Sequence, residues 1–187
     1  MRVEGADQLA DDLIASSGSL ADVLRQDSDR ADALLGRCPD AAEALRVARE
    51  LLSLAMEERI VRDRLDPCQP ELHTYLRLKI GSRSSETVLA LLADGQGGFM
   101  GEVVIAQGSS SDARVAPGHI LREVLKRGAA AFVLAHNHPS GDCRPSESDR
   151  TATDRLRGMS ADLGIVLLDH LVVTKTAVCA IGRGGKA

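Results

Sequence analysis

The chain has 187 residues, a formal net charge of −4 at pH 7 and 44% apolar side chains. This excludes a disordered polymer and leaves room for one well-cored domain with or without a small appendage. With no Trp, one Tyr and two Phe the core has to be aliphatic, and a pI near 5.7 argues against a chain built around nucleic-acid phosphates, which carry a basic face.

The first residues, Met1 to Asp7, are acidic and carry no apolar signal core. No apolar run approaches the roughly 18 residues of a membrane span, so a soluble, cytoplasmic protein without membrane contact is expected. The cysteines Cys38, Cys68, Cys143 and Cys179 are scattered without a CxxC pair and read as reduced thiols. Residues 6–60 show helical spacing. Leu9, Leu13 and Ile14 share one face, Leu20, Val23 and Leu24 another, and Leu45, Ala48, Leu51, Leu52 and Ala55 form a longer stripe. Ser17-Gly18-Ser19 and Arg37-Cys38-Pro39-Asp40 break this segment into short helices. The charged, proline-bearing residues 63–70 read as a linker. The expected division is a helical segment over 1–62, the linker, and a main domain over 71–187.

Glu71 to Lys79 predicts a short helix. The apolar runs Thr87–Ala93 and Phe99–Ala106, joined by Asp94-Gly95-Gln96-Gly97-Gly98, predict a β-hairpin. Pro117 opens a helix carrying Ile120, Leu121, Val124 and Leu125, and Gly128 stops it. Ala130 to Ala135 reads as a buried strand. A helix over Ser146–Leu163 places Ala152, Leu156, Met159 and Leu163 on one face, with Gly164 as the stop. Ile165–Leu168 and Leu171–Thr174 form one long strand or two short ones, and Val178–Ile181 a last one. Strands and helices alternate, so the fold class is α/β or mixed α+β around one central sheet.

The chemistry gathers at the end of the buried strand. His136 and His138 are one residue apart and face one side of it. Asp149 comes 11 residues after His138, inside the next helix, and the intervening Pro/Gly loop can fold it back beside them. Two imidazoles and one carboxylate leave a fourth tetrahedral position open, the arrangement of a catalytic rather than a structural zinc. Zn2+ there would lower the pKa of its water to about 7. A general base is also needed. Glu102, a carboxylate in an otherwise apolar strand, is the candidate. A slip of one residue in register would turn it to the other face of the strand, and a β-bulge would turn it back. Ser146 offers a hydroxyl for the oxyanion. Plainer readings stand beside these: His-x-His alone is a weak metal signal, Pro-Ser-x-x-Asp is also an ordinary helix start, and Glu102 can be a salt-bridged strand residue. Asp169-His170 reads either as a buried structural pair or as a support for the metal ligands, Cys143 as a bystander thiol, and His119 and His73 as surface residues.

His136-x-His138-Pro139 followed by Ser146-x-x-Asp149 resembles the zinc signature of JAMM (MPN-plus) metalloproteases. The longer string His136-Asn137-His138-Pro139-Ser140-Gly141, with Pro145-Ser146, Asp149 and Asp169-His170, resembles the bacterial RadC family. The resemblance spans roughly residues 70 to 175. It implies a cytidine-deaminase-like JAMM fold, zinc on His136, His138 and Asp149, and hydrolysis of a peptide or isopeptide bond in a peptide or protein substrate. The upstream glutamate would be the general acid/base and the serine would assist the oxyanion. The family's DNA-repair label keeps an alternative open, a nucleic-acid-associated accessory protein with a structural or vestigial zinc site. Against it, Leu35 to Ala41 stands where the family has a helix-hairpin-helix. Only Gly36 of a Gly-rich hairpin is present and Asp40 brings the wrong charge, so weak or no DNA binding is expected. A homodimer stays open. A zinc deaminase is disfavoured by the absence of Pro-Cys-x-x-Cys, and a HxHxDH hydrolase by Ser140-Gly141 where Asp-His would stand.

Overall fold

The computed structural model describes residues 6–25, 39–62, 64–108 and 115–181. The chain divides into two compact units, Met1–Ala55 and Met56–Ala187. In the first, α1 (Ala6–Ser17) and α2 (Leu20–Arg25) are separated where expected, at Gly18, which takes a φ of +94°. Ser19 Oγ then accepts the Asp22 N–H at 3.1 Å at the head of α2. α3 (Pro39–Arg62) comes next, and Arg49 on it donates to the Leu24 and Val23 carbonyls. Most of the expected degenerate hairpin, residues 35–38, lies outside the described residues. No helix among the described residues is long and apolar enough to cross a membrane.

The second unit is organised around a five-stranded mixed sheet in the order β2-β1-β3-β4-β5. Its strands are β1 (Glu86–Ala93), β2 (Phe99–Gly108), β3 (Ala131–Asn137), β4 (Val166–Val173) and β5 (Val178–Ala180). The helices are α4 (Pro70–Lys79), α5 (Pro117–Lys126) and α6 (Glu147–Asp162). β1 pairs antiparallel with both β2 and β3, β3 pairs parallel with β4, and β5 closes antiparallel on β4. The parallel pair is joined through α6, the crossover that parallel strands require. Each sheet face is covered. On one, Leu72, Tyr75 and Leu76 of α4 and Ile60 of α3 pack on Leu89, Leu91, Val133 and Val173. On the other, Ile120, Leu121 and Val124 of α5 and Leu156 of α6 pack on Val88, Ala90, Phe132 and Leu134. β3 is buried on both sides along its whole length, which is why it reads as an unbroken apolar run.

The structure departs from the sequence reading in two places and decides an open alternative in a third. Residues 64–70 are built into the second unit: Leu65 is buried, its N–H donates to the Gly97 carbonyl at 2.8 Å, and Arg64 bridges Gly98. Of the two arrangements expected over 165–174 the structure has the single long strand, with Asp169 and His170 inside β4. The buried face of α6 carries Thr153, Leu156 and Ser160, while Ala152 and Leu163 face solvent, Leu163 at 52% exposure. The helix is rotated from its apolar pattern because its polar residues have partners inside: Thr153 bonds the Asp149 carbonyl and His170, and Ser160 bonds the Leu156 carbonyl. Chemical unfolding is expected to show this rotation directly. Leu156→Ala should cost about 2–5 kcal/mol, and Leu163→Ala no more than about 0.5 kcal/mol; comparable losses for the two would contradict it.

Candidate metal centre

β3 delivers two imidazoles to one place because its ladder continues one residue past the strand. His136 pairs with Val88 on β1 and Val172 on β4, and the His138 N–H donates to the Val173 carbonyl at 2.9 Å. The alternation therefore holds through residue 138 and both rings project to one face. Asn137 between them is fully buried: its Oδ1 accepts the Thr87 N–H at 2.7 Å, and its Nδ2 donates to the Arg83 and Ser85 carbonyls at 3.2 Å each. The strand end is thus tied to the segment that leads into β1. A turn comes next, closed by the Gly141 N–H on the His138 carbonyl, with Gly141 at a φ of +82°, a value that favours glycine. Asp142, clamped by Arg144 at 2.7 Å, presents its carbonyl to His138 Nδ1 at 2.7 Å.

The loop ends at Ser146, the N-cap of α6, which forms a reciprocal capping box with Asp149. Ser146 Oγ accepts the Asp149 N–H at 3.1 Å, and Asp149 Oδ2 accepts from Ser146 N–H at 2.8 Å and Oγ at 2.5 Å. The helix cap and the candidate metal ligand are one arrangement here, because the cap holds the carboxylate against the histidines. His136 Nε2 lies 3.0 Å from His138 Nε2 and 3.4 Å from Asp149 Oδ1, and His138 Nε2 lies 3.6 Å from Asp149 Oδ2. Metal–ligand bonds of 2.0–2.1 Å in a tetrahedron set ligand atoms about 3.3 Å apart; the two carboxylate separations fall on different oxygens, and one ligand atom from each residue can be chosen so that all three lie within 4.8 Å of one another. The chemistry of the atoms agrees. A carbonyl only accepts, so His138 Nδ1 must donate to Asp142 and Nε2 of the neutral ring is a bare lone pair. It faces a second imidazole nitrogen and a carboxylate, an acceptor-rich cluster that a cation satisfies. Two imidazoles and one carboxylate suit zinc or a neighbouring transition metal.

Burial lowers the His136 pKa to about 4, against the opposing pull of Asp149, and lowers that of His170 to about 3. Both rings are therefore neutral near pH 7. Burial pushes the Asp149 carboxyl up, but the Ser146 hydrogen bonds and the histidines outweigh it and the net shift is downward. His170 Nε2 lies 2.8 Å from His136 Nδ1, and His170 Nδ1 lies 2.6 Å from Thr153 Oγ1, so of the two readings of Asp169-His170 the histidine takes the one beside the ligands. The Cys143 thiol donates to the Val172 carbonyl at 3.3 Å, and burial pushes its pKa up to about 12. It stays protonated and stands outside the triad. Arg122 donates to His119 Nδ1 at 2.8 Å on the exposed start of α5.

Glu102 is not brought to the cluster. It pairs with Leu91, which pairs with Val133, three residues before His136. That places it roughly 10 Å away along the strands and a similar distance across them. Its carboxylate accepts from Tyr75 Oη at 2.6 Å and meets Lys79 Nζ at 2.9 Å, on the α4 face of the sheet rather than the α6 face. Its cost of burial is offset by those partners, which is the salt-bridged reading of the residue. A different carboxylate stands close to the site. Glu86 is two residues before Val88, the partner of His136, so alternation turns it to the same face. With Ser84, Ser85, Gly108, His138, Pro139 and Ser140 it lines a cavity of about 530 Å³. Sequence reasoning passed over Glu86 because it stands at the start of a strand, where a charge needs no explanation. Counting the antiparallel register back from His136 is the signal that finds it.

Residues 68–185 match the family described as the RadC-like JAB domain. Among similar proteins, a UPF0758 protein of Carboxydothermus hydrogenoformans is 35% identical over 174 residues, 91% of this chain and 75% of its own length. A UPF0758 protein of Chromobacterium violaceum is 35% identical over 168 residues, 89% of this chain and 75% of its own. One from Shewanella baltica is 32% identical over 177 residues, 95% of this chain and 79% of its own.

Purified protein loaded with zinc and desalted should hold about one ion per chain by elemental analysis, and His138→Ala should lose it while keeping its circular dichroism. Full metal content in that variant would remove His138 from the ligand set. The metal-free protein should also respond to pH. Folded His136 and His170 bind protons only well below the ordinary histidine value of 6.5. Between pH 6.5 and about 4 the unfolded chain therefore binds more protons than the folded one, and stability falls as pH falls. Each unit of lowered pKa is worth about 1.4 kcal/mol. Urea unfolding should show a lower midpoint at pH 5 than at pH 7, and His170→Gln should flatten that difference.

Proposed function

The chain belongs to the RadC-like JAB-domain family, and on that footing we propose that it is a zinc-dependent hydrolase of amide bonds, peptide or isopeptide, acting on a peptide or protein substrate. The observation that carries this reading is the convergence of His136, His138 and Asp149, which each offer a ligand atom within 4.8 Å of the others, beside a cavity that His138 shares with Glu86. Three protein ligands leave a coordination position for chemistry, where a structural site would be closed by a fourth.

His136, His138 and Asp149 would hold a zinc ion, which would supply the positive charge that makes a water acidic near neutral pH and polarises a carbonyl. The protein does the rest. The cavity admits the scissile amide along Ser84, Ser85 and Ser140. Glu86 takes the proton of the attacking water as its oxygen adds to the carbonyl carbon, and returns that proton to the departing nitrogen, so a neutral amine leaves. Asn137 holds the Arg83–Ser85 segment that precedes Glu86 and so fixes that wall of the cavity. Ser146 anchors Asp149 through its N–H and Oγ, and its one hydroxyl proton would turn from Asp149 Oδ2 to the oxyanion as charge develops there.

The test separates two glutamates. The probes are a panel of peptides and Lys-Nε-linked isopeptides, read by mass spectrometry with the zinc-loaded protein. Glu86→Gln should keep the metal and lower the cleavage rate by about 10²–10⁴, whereas Glu102→Gln should stay within a few-fold of the parent. The reverse pattern would return the base to Glu102, and equal rates for parent and Glu86→Gln would remove Glu86 from the chemistry.

A further inference from the structure

We infer that Thr153 and His170 are positioning residues that dictate the tautomer of His136, holding its Nε2 as a bare lone pair aimed into the triad. The inference rests on the reading of that triad as a metal centre.

A proton count along four groups fixes every bond direction. Thr153 Oγ1 lies 2.6 Å from the Asp149 main-chain carbonyl and 2.6 Å from His170 Nδ1. A hydroxyl has one proton and a carbonyl has none to give, so the proton lies on the line to Asp149. The opposite ordering would leave two oxygen lone pairs facing each other at 2.6 Å. Thr153 Oγ1 is then an acceptor toward His170, and His170 Nδ1 must carry a hydrogen. A neutral imidazole has only one, so His170 Nε2 accepts. Its partner at 2.8 Å is His136 Nδ1, which must therefore donate, and Nε2 of the neutral His136 ring is left without a hydrogen. Every direction after the first is forced.

His136 differs from its neighbour in how it is set. His138 reaches the same tautomer through a single carbonyl, that of Asp142, in an exposed loop. His136 is 7% exposed and His170 5%, and the direction reaches these buried rings from the Asp149 carbonyl through the hydroxyl of Thr153. The loop of bonds also closes on the site. It starts at the backbone of Asp149 and ends at the ring of His136, so the first turn of α6 and the end of β3 are fixed relative to each other through side chains that touch no substrate.

Substitution of Thr153 by valine keeps the shape and removes the acceptor. His170 Nδ1 would then face an apolar group, and its hydrogen would move to Nε2, which points at His136 Nδ1. His136 would have to accept there and carry its own hydrogen on Nε2, at the position a metal needs. Long-range ¹H–¹⁵N correlation spectra of the metal-free, ¹⁵N-histidine-labelled protein read this without any activity. The parent should show an unprotonated His136 Nε2, Thr153→Val a protonated one, and Thr153→Ser the parent pattern. Zinc affinity, measured by competition with a chromophoric chelator, should fall about 10- to 100-fold in Thr153→Val and recover in Thr153→Ser. A protonated His136 Nε2 in the parent protein overturns the inference even if Thr153→Val fails to fold. An unchanged tautomer in a folded Thr153→Val overturns it equally. Failure of the parent to bind any metal, with the expected tautomers present, would instead remove the metal reading and leave the relay standing.

Discussion

Asp149 Oδ2 accepts two hydrogen bonds from one residue, Ser146, through its main-chain N–H and its Oγ. Those bonds fix where α6 begins. Once the helix starts there, its periodicity dictates which later residues turn inward. Thr153 lies one turn on, below the carbonyl of Asp149, and Leu156 and Ser160 continue the same face into the core. The helix start, the position of the Asp149 carboxylate and the group that meets His170 are thus one constraint. A shift of one residue would rotate α6 by about 100° and separate all three.

That constraint explains an α6 that buries hydroxyls while exposing Leu163. A buried hydroxyl without a partner costs on the order of 1–3 kcal/mol, more than the gain from covering a half-exposed leucine at a helix end. The hydroxyls of Thr153 and Ser160 are both bonded, to the Asp149 and Leu156 carbonyls, so neither bears that cost. β4 makes the matching adjustment. Its register against β3 shifts between Phe132 and Val133, leaving Leu168 as an extra residue. Leu167 packs on the α6 face, and the extra residue brings His170, rather than Asp169, back to that face beside Leu134.

These adjustments mark the limit of what the sequence discloses. The hairpin of β1 and β2, the buried β3, the start of α6 and the meeting of His136, His138 and Asp149 were all legible, because each is written in local chemistry: an alternation, a turn, an apolar run, a capping box, a His-x-His at a strand end. The place of residues 64–70 was not, because a single buried Leu65 within a charged, proline-bearing stretch carries no periodic signal. The buried face of α6 was hidden for a different reason. Periodicity weighs residues by hydrophobicity, and a helix whose inward side is chosen by hydrogen bonds to another strand scores its true face as the polar one.

Glu102 shows the same limit at the point where function is decided. Ala106 pairs with Val88, and Val88 with His136. In an unbroken strand, residues 106, 104 and 102 would share the face of His136, and an isolated carboxylate among apolar residues would point toward the metal side. The register shifts between Val88 and Leu89, so that Ile105 is an extra residue beside Ala106. From there on the strand is inverted. Val103 faces the α5 side, and Glu102 turns to the Tyr75 hydroxyl and the Lys79 ammonium. The bulge thus acts in the sense opposite to the one a sequence argument would hope for, taking a candidate base away from the site. Even without it, the four residue steps from Glu102 to Ala106 span roughly 13 Å, too far for a carboxylate to reach a water at the triad. Glu86 needs no such rescue. It stands two residues from the partner of His136, before any irregularity in its strand, and only the pairing of β1 with β3 reveals that it belongs beside His138.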